Sequence, residues 1–100
     1  MELERKQEEN LCEFVLNGKF TFSDNQIFKE IIEHLKSRGS SSVIINMASV
    51  SFIDSAAIGM LLLAKDEATN NTKALRIKGL SGQPKKMFDI SKLGEVFLIV

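Results

Sequence analysis

The chain has 100 residues, of which 44% are hydrophobic, and its 13 basic residues balance its 13 acidic residues. This length suits a single domain, residues 1–100, with enough apolar side chains for a core, and the zero formal net charge lacks the basic surface typical of nucleic-acid-binding proteins. No apolar run approaches the ~20 residues of a membrane-spanning helix, no apolar leader follows Met1, and the single cysteine suits a reducing compartment. We therefore expect a cytoplasmic protein without nucleic-acid or membrane partners.

The first half of the chain predicts two strands, a helix and a third strand. Residues 3–7 form an expected edge strand beside the apolar strand 11–16, and Asn17-Gly18 is typical of a turn. Ser23 and Gln26 match a capping box, and Gly39 matches a helix end. The continuous β-branched run 43–47 predicts a central strand buried on both faces. The helix between these strands has an apolar stripe at helical spacing, which consists of Ile27, Phe28, Ile31, Ile32 and Leu35.

The second half predicts a helix from Ser55 to about residue 71, a strand over 74–78, a helix with Pro84 in its first turn, and a buried strand over 96–100. The element order is therefore β-β-α-β-α-β-α-β. Strands that alternate with helices favour an α/β fold, here a mostly parallel sheet of four to five strands with three or so helices.

The start of the second helix, Asp54-Ser55-Ala56, is the best candidate for a functional segment. The first N–H groups of a helix are unsatisfied, and the helix dipole is positive at this end. A phosphoryl group attached there adds about −1.5 to −2 charges and therefore strongly changes the local electrostatics. The Asp54 carboxylate would compete with a bound anion, so a modification switch fits better than a standing anion site. An ordinary helix cap, with the Ser55 hydroxyl bonded to backbone N–H groups, accounts for the same residues.

The uncharged helix that follows favours a partner site over a simple cap. No residue from Ala56 to Ala64 carries a charge. A helix on a sheet needs one apolar stripe, yet Leu61 lies on one side of this helix and Leu63 on another, so apolar surface is expected to be exposed. We predict that the partner contacts Ala57, Ile58, Gly59, Met60 and Leu63.

No enzyme, metal site or cofactor is predicted. The single His34 lies on the expected polar side of the first helix as a surface residue, and Cys12 is expected in the core. No acid–base pair, catalytic triad or metal-ligand cluster emerges. Gly79-Leu80-Ser81-Gly82 lacks the spacing of a phosphate loop.

These segments together resemble the STAS domains of the anti-sigma-factor-antagonist family. The likeness rests on the Asn17-Gly18 turn, on strand 43–47, on Phe52-Ile53-Asp54-Ser55 and on residues 90–97, and it covers nearly the whole chain. The resemblance implies that the unphosphorylated protein binds a serine kinase of the histidine-kinase-like ATPase type. It also implies that phosphorylation after Asp-Ser ends this binding and that a PP2C-type phosphatase restores it. A single response regulator can carry both activities. Residues 57–63 look most like the small family members that regulate biofilm formation in Vibrio and Pseudomonas.

Ala56 departs from this pattern, because the residue that the family phosphorylates is here an alanine without a hydroxyl group. The resemblance therefore implies a chain held in the unphosphorylated, binding-competent form. Ala56 is either natural or an alanine variant of a serine-bearing protein; serine would complete the motif, which favours the second explanation. Two other functions stay open: a structural or scaffolding module, and a small-ligand sensor with a pocket near Asp54.

Overall fold

A computed structural model describes residues 1–100 and shows five strands and three helices. The strands are β1 (Glu2–Glu8), β2 (Leu11–Phe20), β3 (Ser42–Ile53), β4 (Ala74–Lys78) and β5 (Leu98–Ile99), and the helices are α1 (Asn25–Lys36), α2 (Ser55–Asn70) and α3 (Gly82–Ile90). The strands form one sheet in the order β1-β2-β3-β4-β5, in which β1 pairs with β2 in the antiparallel sense and all other neighbours are parallel. The predicted α/β class and element order are thus confirmed. None of the helices combines the length and the apolar character that crossing a membrane requires.

One face of the sheet carries the core. Alternate side chains of the strands join side chains of all three helices in one cluster of 22 buried residues, which includes Cys12 as predicted. On β3, Val43, Ile45 and Met47 are buried, whereas Ile44 and Asn46, which alternate with them, are only half-buried. The prediction that this strand is buried on both faces is therefore wrong. The helices all bury their apolar residues on the same side, and the β-branched run reflects strand propensity alone.

The start of α1 differs from the predicted cap. Ser23 lies inside a 3-10 turn, Phe22–Asp24, and α1 begins at Asn25. The Asp24 carboxylate accepts hydrogen bonds from the Thr21 N–H (2.8 Å) and the Met1 ammonium (3.0 Å). Burial alone would raise the pKa of Asp24, but these hydrogen bonds outweigh it and lower the pKa. Asp24 thus replaces the predicted Ser23–Gln26 capping box. Four stripe residues of α1 are buried as predicted, while Ile27 is exposed.

His34 is buried, and its prediction as a surface residue is wrong. Its ring lies edge-on to Phe14 at a centroid distance of 5.5 Å, and its Nδ1 lies 3.0 Å from an Arg5 guanidinium nitrogen. Because a guanidinium can only donate hydrogen bonds, Nδ1 of His34 is the acceptor of this bond. The ring proton is therefore on Nε2, which has no hydrogen-bond partner. Burial, followed by the charges of Arg5 and Lys73, lowers the pKa of His34.

Two predicted strand boundaries are also wrong. Asn17-Gly18 lies inside β2, where Gly18 adopts a φ of +100° beside a register shift against β3, and the chain reverses earlier, between β1 and β2. The last strand, β5, contains only two residues, and both are exposed. Phe97 before it is buried and packs against Phe88 of α3.

Candidate functional site

The Asp54–Ala56 segment lies at the carboxyl edge of the parallel strands. β4 pairs with β3 only as far as Asn46, which lies opposite Lys78. β2 pairs with β3 as far as Ile53, which lies opposite Phe20. The segment therefore follows the longest strand of the sheet at the edge where open α/β sheets commonly place their functional residues.

Asp54 holds this segment through both carboxylate oxygens. Its Oδ1 accepts the N–H of Ala57 at 2.8 Å, which makes Asp54 the N-cap of α2. Its Oδ2 accepts the N–H of Phe22 at 3.1 Å, which ties the helix start to the turn after β2. With both oxygens engaged by backbone N–H groups, Asp54 has the bonding of a positioning group rather than of a catalytic acid.

Ser55 is free of the capping role predicted for it. Asp54 is the cap, and Ser55 is the first residue of the helix, with an exposed side chain whose hydroxyl has no hydrogen-bond partner. Ala56 follows in a half-buried position. The two residues after Asp54 therefore combine one exposed hydroxyl, at residue 55, with a methyl group at residue 56.

α2 buries a narrow stripe and exposes larger apolar side chains. The buried stripe consists of Ala57, Leu61, Ala64 and Ala68. Leu62 and Leu63 are 37% and 51% exposed, Gly59 is also exposed, and Ile58 and Met60 are half-buried against the core. Ala57 is in the core, so its side chain is not available to a partner, and the prediction that it forms a contact is dropped. We use the name switch surface for Asp54, Ser55, Ala56, Ile58, Gly59, Met60 and Leu63.

Two exposed phenylalanines adjoin Asp54, Phe22 through its backbone and Phe52 in the chain, and neither was predicted as a partner contact. Phe22 is 67% exposed, and its backbone is bonded to Asp54. Phe52 is 39% exposed, two residues before Asp54. The alternation of β3 contained a signal for Phe52, since a residue next to the buried Ile53 points to the opposite face.

Gln83 is a further residue that the sequence did not reveal. Its side-chain amide bonds to the backbone of Ile53, directly before Asp54, with an N–H···Oε1 distance of 2.8 Å and an Nε2···O=C distance of 2.9 Å. The two residues are 30 positions apart, so no local pattern links them.

The surroundings of the segment offer no enclosed ligand site. None of the five surface cavities is lined by Asp54, Ser55 or Ala56, so the structure lends no support to a small-ligand pocket there. No three His, Cys, Asp or Glu side chains are grouped as a metal site requires.

Comparison with known proteins identifies the family. A model of the STAS domain matches residues 2–100. The chain is 27% identical over 84 residues to a STAS-domain-containing protein of Pseudomonas aeruginosa. The match covers 84% of this chain and 82% of that protein. The chain is also 29% identical over 68 residues to the anti-sigma-B factor antagonist of Staphylococcus epidermidis, and this match covers 68% of this chain and 63% of that protein.

Solved structures share the fold. The anti-sigma factor antagonist SpoIIAA in its unphosphorylated form has a TM-score of 0.78 at 17% identity, and covers 99% of this chain and 87% of its own. Bacillus SpoIIAA in the phosphorylated form has a TM-score of 0.77 at 20% identity, with 99% and 91% covered. The two likenesses are about equal and show that this chain shares their fold.

Proposed function

The chain belongs to the STAS domain family, and we propose that within it the chain is a non-enzymatic partner-switching regulator of the anti-sigma-factor-antagonist type that acts in the cytoplasm. Its partner would be a serine kinase of the histidine-kinase-like ATPase type, which binds the switch surface of the unphosphorylated chain. The observation that carries the proposal is the exposed apolar surface of α2, where Leu63 is 51% exposed on the helix that Asp54 caps.

A phosphoryl group at residue 56 would act on this surface mainly through its charge. It would bring about −1.5 to −2 charges next to the Asp54 carboxylate and into an apolar contact. Burying an unpaired charge in a contact costs several kcal/mol, and repulsion from Asp54 adds to this cost. The equal likeness to both forms of SpoIIAA suits a switch that changes surface charge and leaves the fold in place.

Ala56 would then keep the chain in its binding-competent form. Without a hydroxyl at this position the kinase has nothing to phosphorylate there, and a PP2C-type phosphatase has nothing to remove. We further propose that the regulated output is biofilm formation, on the strength of the likeness of residues 57–63 to the small biofilm regulators of the family.

The decisive experiment restores the hydroxyl with Ala56→Ser. The parent, Ala56→Ser, and the double variant Ser55→Ala with Ala56→Ser are incubated with the histidine-kinase-like kinase of the source organism and ATP, and mass spectrometry locates the phosphate. We expect phosphate on residue 56 of both serine-56 variants and none on the parent. The double variant is the matched control, because it removes the exposed hydroxyl of Ser55.

Binding provides the second test of the proposal. Ala56→Glu should weaken kinase binding relative to the parent, since it places a fixed charge where the phosphate would stand. Phosphate on Ser55 of the parent would place the switch one residue earlier than proposed. A parent that does not bind the kinase would instead favour the structural or scaffolding role.

A further inference from the structure

The half of β3 that leads to Asp54 lacks a strand on one side. β4 leaves the sheet after Lys78, which pairs with Asn46, and β3 continues from Met47 to Ile53 with β2 as its only strand neighbour. Backbone N–H and C=O groups on the open side need other partners, because unpaired buried groups are rare in native proteins. The geometry of this stretch therefore depends on contacts outside the strand ladder.

Gln83 supplies those partners at the last residue of the strand. Its Oε1 accepts the Ile53 N–H at 2.8 Å, and its Nε2 donates to the Ile53 carbonyl at 2.9 Å. These are the two bonds that an opposing residue of an antiparallel strand would make. A primary amide can donate and accept at once, which a carboxylate or an ammonium cannot. The Ile53 side chain is completely buried, which keeps this stretch of β3 anchored in the core.

The chain brings Gln83 to this point through a close crossing over β3. Gly79 has a φ of +80°, and a Cβ atom on it would lie 2.8 Å from the Cβ of Ala48. Only glycine fits so close an approach without a backbone shift. Gln83 then lies in the first turn of α3, followed by the buried Pro84, whose fixed φ suits that turn. The amide is thus presented from a rigid base.

We propose that Gln83 is a positioning residue for the switch surface. It fixes the backbone of Ile53 from the α3 side, while the Asp54–Phe22 bond fixes the next residue from the β2 side. Together the two contacts set the direction in which the chain enters α2, and so the orientation of the surface that the partner binds. The consequence for partner affinity rests on the proposed function; the effect on the backbone does not.

The experiment compares Gln83→Ala and Gln83→Glu with two controls. Lys86→Ala alters the exposed surface of the same helix, and Leu75→Val weakens the core near the opposite end of the strands. Amide hydrogen exchange is followed by NMR, and kinase affinity is measured by titration calorimetry. For Gln83→Ala we expect exchange at Ile53 to rise about tenfold more than at Val43, because a local contact is lost. Exchange at Ala57 and Ile58, whose N–H groups bond to Asp54, should rise with it.

Kinase affinity should fall by about fivefold in Gln83→Ala, as expected for one lost backbone contact that orients the surface. Gln83→Glu should act in the same direction, since its carboxylate faces the Ile53 carbonyl with a second acceptor. Both controls should keep the affinity of the parent. This separates positioning from a general loss of stability, which Leu75→Val also causes.

Three outcomes overturn the proposal. The first is exchange at Ile53 that rises no more than exchange at Val43. The second is unchanged affinity despite faster exchange at Ile53. The third applies if the parent binds no kinase, in which case the proposed function itself fails. Unchanged exchange at Ala57 and Ile58 would then show that Gln83 does not position the start of α2.

Discussion

α1 and α2 lie against each other on the same face of the sheet, but they present different surfaces to solvent. On α1 the large apolar residues Phe28, Ile31 and Leu35 are buried, and the outer side is charged. On α2 the buried stripe is mostly alanine, with Leu61 as its one large member, while Leu62 and Leu63 are exposed. The outer residues of α1 include Lys29, Glu30, Glu33 and Lys36.

This difference separates residues that stabilise the fold from residues available to a partner. A helix selected for stability alone would bury its large side chains and expose polar ones, as α1 does. α2 instead packs small residues against the core and leaves leucines exposed to solvent, a pattern typical of surfaces that bind a partner and consistent with the function proposed above. The comparison can be tested by substitutions on the buried and exposed sides of α2, and then by matched substitutions on the exposed sides of α2 and α1.

The largest effect is expected on the buried side of α2. Leu61→Ala removes a fully buried side chain and should lower the free energy of unfolding by about 3 kcal/mol. Leu63→Ala, the matched control on the exposed side, should change it by less than about 0.5 kcal/mol. Urea denaturation measures both. Equal losses would show that Leu63 belongs to the core and would remove the contrast between the two sides.

A charge on the exposed side of α2 should chiefly affect the partner. Leu63→Glu should leave the fold intact and weaken kinase binding at least about tenfold, because the charge would be desolvated in the contact. Lys29→Glu reverses a charge on the exposed side of α1 and should not change binding. Met60→Glu should lower both stability and binding, since Met60 is half-buried against the core. Normal binding by a folded Leu63→Glu protein would place the interface elsewhere.

Local patterns suffice for those elements whose residues interact mainly with near neighbours. The bounds of β4 agree with the prediction, and α2 ends within a residue of the expected end. Periodicity also finds the buried stripe of α1 and the apolar excess of α2. Periodicity fails where contacts with distant segments determine the structure. The last strand, β5, is short and exposed at the sheet edge. Asn17-Gly18 lies inside a strand because it pairs with β3.

The candidate site shows the same limit. Asp54, Ser55 and Ala56 are recognisable from the sequence because a helix start follows a buried strand. Which residue caps the helix is a matter of side-chain geometry, and Asp54 takes the role predicted for Ser55. The contacts of Asp54 with Phe22 and of Ile53 with Gln83 join segments 32 and 30 residues apart, so only the folded chain reveals them.

The cap of α2 should contribute a smaller amount than its core. Asp54→Asn keeps one acceptor oxygen but loses the charge and one of the two accepted bonds, so the free energy of unfolding should fall by about 1 kcal/mol. Thermal and urea denaturation measure the loss. Asp66→Asn, an exposed change on the same helix, is the control. A loss several times larger with normal kinase binding would indicate a buried charge network instead of a cap.

The smallest effect concerns His34, the one buried polar side chain on the otherwise regular α1. Its folded-state pKa lies below the value of about 6.5 that it has when unfolded, owing to burial and then to Arg5 and Lys73. Well above pH 6.5 both states are neutral and His34 makes no pH-dependent contribution. Below pH 6.5 the unfolded state binds a proton that the folded state does not bind, so the free energy of unfolding falls as the pH falls. The loss at pH 6 should be less than about 1 kcal/mol. His34 is the only histidine, so urea denaturation of His34→Gln from pH 7 to pH 5 should remove most of this slope. An unchanged slope in that variant would mean that other groups take up the proton and that His34 is not the group through which pH acts on α1.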